Sequence, residues 1–495
     1  MVTSIAIIGA GIAGLSAGCY AQANGYTTRI FEAHVTPGGL CTSWNRKGYV
    51  FDGCMHDLAG AGPGSAYYPV WEALGIMPGT SMIFHDEFTR VIAPDGKKLV
   101  VYTDPDRLEQ HLKDLAPADA RLIEEFTRTV RALRGFDLLG ATLGGIGGFI
   151  RVFPRFRVLT KWMRVPLRDF GLRFSDPFLR KAFPMVQYDI QEAPVGLNMA
   201  FLAALSSHLI GWPTGGSRAF ARSIEKRYLE LGGEIHYRSR VEKILTKDNS
   251  AVGVRLIDGT EYPADIVISA ADGRTTIFDL LEGKYVNDRL RKYYSKPLER
   301  QQFGISVYLG VARDLSDYPR SMVYLLDQPI MVEGKPCDHV SVECFGFDPT
   351  MAPPGKGVLK AVFDGSYSYW KNLRNQGEAY EQEKRRLADN VIRSLERHFP
   401  GVSEQIEAVD VTTPLTIERF TSNWHGLQAW SAGTGFLDMF RGVAETLPGL
   451  SNFYMVGHWA MGSIGISTVA GGARNVIRKI CRKDGRPFVE PGRTR

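Results

Sequence analysis

At 495 residues the chain is too long for one compact core, so two or three domains are expected. Its 44% hydrophobic and 23% charged content is that of an ordinary globular protein, and a net charge of +6 names no partner until its distribution along the chain is known. Six scattered cysteines (Cys19, Cys41, Cys54, Cys337, Cys344, Cys481) form no CxxC or Cys/His ligand pattern, which points to a reduced, cytosolic chain without a metal site.

The first element is the most informative. Ser4-Ile-Ala-Ile-Ile8 reads as a buried strand and leaves no room for a cleavable signal before it. Gly9-Ala-Gly11-Ile-Ala-Gly14 follows as a glycine turn, then a helix of small residues, then Thr28-Arg-Ile-Phe31 as a strand ending on Glu32. Gly9 permits the tight turn, Gly11 leaves room for a pyrophosphate, and Gly14 lets the helix pack on the sheet with its N-terminal N–H groups facing phosphate. Glu32 stands where an acid accepts both ribose hydroxyls. The chain is therefore expected to bind a dinucleotide.

Residues 61–211 change character. A hairpin closes around Pro94-Asp-Gly96, and Asp104-Pro-Asp-Arg opens helical segments rich in Leu, Phe and Arg. The apolar run 138–150 has 13 residues with five glycines, short of the ~20 that span a bilayer. Within it, Gly144-Gly-Ile-Gly-Gly148 follows no strand and precedes no suitably spaced acid, so it is not read as a nicotinamide site. Trp212-Pro-Thr-Gly-Gly216-Ser217 returns to the nucleotide fold, with Ser217 predicted to cap a helix over 217–231. Strands are predicted at 233–237, 241–245, 251–256 and 264–271, then at 306–311, 340–344 and 358–363, followed by a strong helix over 378–399. Near the C-terminus, Phe453-Tyr-Met-Val-Gly457-His458 and Gly465-Ile466 repeat the strand, glycine turn and helix N-terminus.

Gly38-Gly39 directly after Glu32 is common in FAD proteins of the glutathione-reductase and amine-oxidase type. Together with Phe51-Asp-Gly53, Pro213-x-Gly-Gly216, Val241 and Val456-Gly457, it makes the chain resemble the phytoene desaturase superfamily of flavoproteins over nearly its whole length. Phe51-Asp-Gly-Cys-Met-His56 looks most like the retinol saturase pattern. The resemblance implies an α/β fold: a Rossmann-like FAD-binding domain from residues 1–60, 212–290 and 445–482, with a helical cap at 61–211, a substrate domain of mixed sheet at 291–444, and a tail at 483–495. It also implies cofactor contacts at Gly9, Gly11, Ile12, Ala13, Gly14, Glu32, Ala33, Gly38, Gly39, Leu40, Val241, Ala270, Gly457, Gly465 and Ile466. The implied activity is hydride exchange between FAD and a carbon–carbon bond of a long apolar, isoprenoid-like substrate. A carotenoid cis-trans isomerase and a lipid-escort protein on a Rab-dissociation-inhibitor-like fold are the alternatives.

His56 and, less so, His458 are the candidate catalytic residues, since imidazole moves protons near neutral pH; the alternative is a structural histidine that fixes the turn at His56 and a polar lining group at His458. Arg419 and Trp424 are expected to line the substrate channel. Nine basic residues against two acids crowd 151–181. Arg157, Lys161, Arg164 and Arg168 fall on one helical face opposite Phe156, Leu159, Trp162 and Met163, with Pro154 suited to the helix start and Pro166 to its end, a pattern that suits either an anionic membrane surface or a solvated cap helix. No second dinucleotide fingerprint is present, so a separate electron donor or acceptor is expected, and no nucleic-acid partner.

Overall fold

The computed structural model describes residues 2–137, 139–143, 157–295, 301–428, 444–461 and 465–492. Ser4–Ile8 lies at the centre of a parallel five-stranded sheet. Thr27–Phe31 and Ile266–Ser269 flank it, with Glu234–His236 and Phe453–Met455 outside them. Alternation along the first strand explains why the sheet is buried on both faces. Ile5 and Ile7 join the core formed with helices Ile12–Ala23, Gly216–Glu230 and Ile466–Lys483. Ala6 and Ile8 face the opposite core, beneath the antiparallel sheet Val241–Lys247, Ser250–Leu256 and Glu261–Pro263. The predicted α/β nucleotide fold is therefore present, strand for strand.

The small residues of the first helix set how closely it packs. A Cβ on Gly14 would sit 2.0 Å from the Gly9 carbonyl oxygen, and one on Gly18 would sit 2.6 Å from the Tyr228 ring. Ser217 does not cap its helix as expected. Gly215, at φ +89°, precedes a helix that already includes Ser217, and the Ser217 hydroxyl donates to Asp52 instead.

A second sheet has seven strands in the order Ile406–Thr412, Gln301–Val311, Gly357–Gly365, Lys335–Cys344, Ser321–Val332, Glu87–Ile92 and Lys98–Tyr102. The last two strands form the 94–96 hairpin, which sequence reasoning assigned to the helical region. It joins the large sheet through parallel pairing of Glu87–Ile92 with Ser321–Val332. Helix Ala379–Leu395 covers this sheet. The helical core contains Pro105–Leu115, N-capped by Asp104 as its sequence predicts, together with Ala120–Ala132 and Val195–Ser206.

The expected amphipathic helix is not continuous, although it ends before Pro166 as its sequence predicts; Pro154 and Phe156, at its expected start, lie outside the described residues. The chain is helical at 157–159, forms a tight 3-10 turn at Trp162–Arg164, and runs extended through Val165 and Pro166 before the short helix Leu167–Gly171. A residue before proline is driven out of the helical region, and Val165 has φ −108° and ψ 109°. Trp162 and Met163 are buried as the pattern implied, while Arg157, Lys161, Arg164 and Arg168 are exposed. Lys161 pairs with Glu125, and Arg168 pairs with Glu192. The Gly144–Gly148 stretch and most of 138–150 lie outside the described residues. The final stretch packs back on the nucleotide fold, with Phe488 stacked on Tyr20 and Val489 hydrogen-bonded to Asn24.

Candidate functional site

A cavity of about 650 Å³ runs between the two sheets and beneath the helical core. One half is built from the nucleotide fold. Gly9, Gly11, Ile12, Ala13, Glu32, Ala33, Gly38, Gly39, Leu40, Val241, Ala270, Gly457, Gly465 and Ile466 all line it. Gly14 does not, because it lies against the Gly9 carbonyl and Ala270 and sets the helix position. The two glycine turns support each other. The Gly38 N–H donates to the Ala10 carbonyl at 2.9 Å, and Gly38 and Gly39 take φ +117° and +62°. A Cβ on Gly38 would sit 2.2 Å from the Cys41 carbonyl oxygen, so no other residue fits this turn.

Two long helices open into this half with no side-chain cap. These are Ile12–Ala23 behind Gly11 and Ile466–Lys483 behind Gly465, the latter glycine at φ +114°. Their first-turn N–H groups and positive dipole ends suit anionic groups at two separate places. Glu32 is fixed in orientation: one carboxylate oxygen accepts the Ala10 N–H and the other the His34 N–H, both at 2.7 Å. A dinucleotide with a pyrophosphate and a vicinal diol matches this donor and acceptor set.

The other half is apolar. Leu197, Ala200, Phe201 and Ala204 of helix Val195–Ser206 form its wall with Phe136, Leu139, Leu209 and Ile210. His56 and Asp57 stand where the two halves meet. Asp52 holds the turn that delivers them. Its fully buried carboxylate accepts the Cys54 and Met55 N–H groups at 3.0 and 2.9 Å, and the Ser217 N–H and hydroxyl at 2.7 and 2.6 Å. The Phe51-Asp-Gly53 and Gly216-Ser217 motifs, 165 residues apart in sequence for Asp52 and Ser217, are thus one structural unit.

The substrate sheet meets this turn with buried charges. His56 Nδ1 contacts Glu343, whose other oxygen is 3.0 Å from Lys360 Nζ. Glu343 and Lys360 are directly opposed across neighbouring strands. Burial works to raise the Glu343 carboxyl, but the His56 and Lys360 charges outweigh it and hold the group well below the usual carboxylate range. Arg320 pairs with Asp57 and donates to the His56 carbonyl at 2.8 Å, while the Tyr188 hydroxyl donates to Asp57. Sequence reasoning missed Glu343, Lys360 and Arg320, since each reads as an ordinary polar residue on or beside a strand. Lys360 within Val358-Leu-Lys-Ala-Val-Phe363 was the one available signal.

His458 also lines the cavity, and burial pushes its imidazole down to about 4, so it is neutral at physiological pH. Its Nε2 is enclosed and has no hydrogen-bond partner among the described residues. Asp272, another missed residue, lines the cavity after the buried strand Ile266–Ser269. It accepts the Thr275 and Trp424 N–H groups at 2.8 and 3.2 Å, and burial raises it to about 6.

Arg419 and Trp424 do not line the channel. Arg419 is exposed on helix Pro414–Thr421 with its guanidinium over the Phe420 ring, and Trp424 stacks on His425 and meets Tyr294 edge-on. The helix ends at Ser422 in a left-handed conformation, and this turn brings Phe420, Thr421, Ser422 and Asn423 to the cavity instead.

The family model for flavin-containing amine oxidoreductases matches residues 12–473. The phytoene desaturase (neurosporene-forming) of Rhodobacter capsulatus is 26% identical, over 84% of this chain and 82% of its own. Prolycopene isomerase 1 from an Oncidium hybrid cultivar is 25% identical, over 94% and 81%. An oxidoreductase from Methanosarcina mazei shares the fold at a TM-score of 0.60 and 19% identity, covering 96% of this chain and all of that one.

Proposed function

The chain belongs to the family of flavin-containing amine oxidoreductases, and from that premise we propose that this FAD-dependent oxidoreductase acts on a carbon–carbon bond of a long apolar, carotenoid-type substrate. The observation that carries the reading is the shared cavity, in which a dinucleotide cradle opens directly onto an apolar wall. FAD, when bound, supplies a two-electron hydride carrier. Glu32 would hold its ribose, Gly11 and the first helix its pyrophosphate, and Gly457, Gly465 and Ile466 its flavin end. The wall from helix Val195–Ser206 excludes water and aligns an extended chain. His56, which lines the cavity, would hold or release a proton beside the reacting carbon. Neutral His458 would be a lining group.

A second reading, cis-trans isomerisation of a polyene, is supported by the similarity to prolycopene isomerases, which extends over 94% of the chain. One experiment separates the two. Holoprotein is incubated anaerobically with phytoene or prolycopene, the flavin band is followed, and products are analysed by mass spectrometry. Loss or gain of two hydrogens with a flavin colour change supports redox chemistry, whereas unchanged mass with altered geometry supports isomerisation. Inertness toward both polyenes with rapid bleaching by a primary amine would overturn both.

The electron partner is proposed to be a separate donor or acceptor, because the sequence holds one dinucleotide fingerprint. NADH or NADPH alone is expected to reduce the flavin slowly, and fast saturable bleaching would refute this. No helix among the described residues is long and apolar enough to cross a membrane. Contact with an anionic membrane surface is proposed through Arg157, Lys161, Arg164 and Arg168. They are exposed beside Val158 and Leu172, apolar side chains 41% and 63% accessible. Changing all four cations to Gln should abolish co-sedimentation with phosphatidylserine vesicles at low salt while leaving flavin content unchanged. Wild-type protein that stays in the supernatant sinks this contact.

A further inference from the structure

Lys360 is the least expected residue around the cavity. It is 2% exposed in the middle of strand Gly357–Gly365, where an ammonium group is costly to bury without a partner. It does have a partner, Glu343, but the pair is not self-contained. One Glu343 oxygen faces Lys360 and the other contacts His56 Nδ1, so the carboxylate spans the gap between the substrate sheet and the histidine turn. A cross-strand pair serving only to hold the sheet would have no need of the imidazole.

The remaining surroundings of His56 point the same way. Its ring lies 5.1 Å from the Tyr188 ring and 5.5 Å from the Phe303 ring, two walls that limit rotation. Its backbone carbonyl accepts from Arg320, and Arg320 in turn is paired with Asp57, which also takes the Tyr188 hydroxyl. Among the described residues, the charged and titratable groups that meet this histidine and its turn are Glu343 and Lys360 from two strands, Arg320 just before a third, Asp57 on its own turn, and Tyr188 from the helical region. Two acids, Glu343 and Asp57, thus face two cations, Lys360 and Arg320.

We propose that Glu343 and Lys360 are positioning residues for His56. Glu343 accepts the Nδ1 hydrogen and fixes the ring, Lys360 keeps that carboxylate ionised so that it does not take the proton, and Nε2 is left as the nitrogen that exchanges a proton on the cavity side. The same logic, an acid that orients a histidine without accepting its proton, recurs on unrelated folds. The low-lying Glu343 carboxyl, held down by Lys360 and His56 against its burial, agrees with this division of labour. The inference rests on the reading of His56 as the proton-carrying group.

The test uses FAD-loaded full-length protein labelled with ¹⁵N-histidine, and three variants: His56→Gln, Glu343→Gln, and the charge-free double change Glu343→Gln with Lys360→Met. Wild type should show neutral His56 as a single tautomer with hydrogen on Nδ1. The double variant should retain flavin and melt close to wild type, yet show mixed tautomers. Its phytoene turnover should fall by about tenfold or more, with the pH–rate profile displaced to lower pH. Glu343→Gln alone should displace the profile in the same direction, because the uncompensated Lys360 charge then faces the imidazole.

A merely structural pair would lower the melting temperature and leave tautomer and pH profile as in wild type, which overturns the proposal. Full turnover in His56→Gln would overturn the role of His56 itself, while the tautomer still reports on positioning. If neither Glu343 variant folds, hydrogen on Nε2 in the wild-type spectrum is sufficient to refute the assignment.

Discussion

At Glu32 both carboxylate oxygens hold a backbone N–H in addition to the ribose contact proposed for them, so Glu32→Ala removes two acceptors at once. Leaving such donors without partners costs roughly 1–3 kcal/mol each. The variant should therefore purify largely colourless and melt lower, checked by the ratio of flavin to protein absorbance; full flavin occupancy would refute the ribose assignment. Gly14 works through space rather than through contacts with ligand. Gly14→Ala would press a methyl to 2.0 Å from the Gly9 carbonyl oxygen, where backbone rather than a flexible side chain must give way. Overpacking of this kind costs about 1–3 kcal/mol or more. A lower denaturation midpoint with impaired FAD binding is expected, and an unchanged midpoint would mean the helix can shift without loss.

Elements matter here through the places where one ends against another. The turn after strand Tyr49–Asp52 and the start of helix Gly216–Glu230 share the Asp52 carboxylate, which serves as the anion at that helix N-terminus. Asp52→Ala should leave the Cys54 and Ser217 N–H groups without their acceptor, at roughly 1–3 kcal/mol each. It should release the His56 turn as well, seen as faster hydrogen exchange at Cys54, Met55 and Ser217. Protection equal to wild type at those amides would show that the turn is held by other means. Helix Pro414–Thr421 makes the same point in a different way. Its sequence suggested channel residues, but which side chains reached the cavity was decided by the left-handed Ser422 that ends it. At 157–168 the apolar spacing correctly identified buried Trp162 and Met163, yet the extended Val165–Pro166 step removed the continuous helix that would have aligned all four cations.

On the scale of the whole molecule, the helical region is fastened to the substrate sheet by His339. Its Nε2 contacts Asp189 and its Nδ1 lies 2.9 Å from Asp338. Burial acts to lower this imidazole, but the two acids outweigh it and push it up to about 9. Because the folded value exceeds the unfolded one of ~6.5, this contribution is complete below pH ~6.5 and is lost as pH rises toward 9. His85 and His458, lowered to about 4 by burial, have the opposite sign and cost stability as pH falls from ~6.5 toward 4. Denaturant midpoints of the holoprotein should therefore peak near neutral pH. His339→Gln should flatten the alkaline limb and leave the acid limb in place, and an unchanged alkaline slope would assign the loss to other groups. Since Tyr188 and Ile190 beside Asp189 line the cavity, loosening this contact should also raise the rate of flavin release above pH 8.

What the sequence determined by itself was the nucleotide half. The strand at Ser4–Ile8, the Gly9 to Gly14 turn, Glu32, Gly38-Gly39 and the second turn at Gly457 are legible because the spacing of a strand, turn and helix is local, and because backbone approach to an anion demands glycine at particular positions. The family followed from the order of those same segments. The surroundings of His56 were not legible in this way. Glu343, Lys360, Arg320 and Tyr188 come from four separate segments, and apart from Lys360, a lone cation within an apolar strand, nothing in their local patterns distinguishes them from residues on a solvated strand or loop. Only the pairing of strands Lys335–Cys344 and Gly357–Gly365, and the docking of that sheet against the His56 turn, brings an acid and a cation into one buried network. The membership of the Glu87–Ile92 hairpin in the large sheet was decided in the same way, since strand partners distant in sequence are chosen by register and burial across the whole fold rather than by the residues of either strand alone.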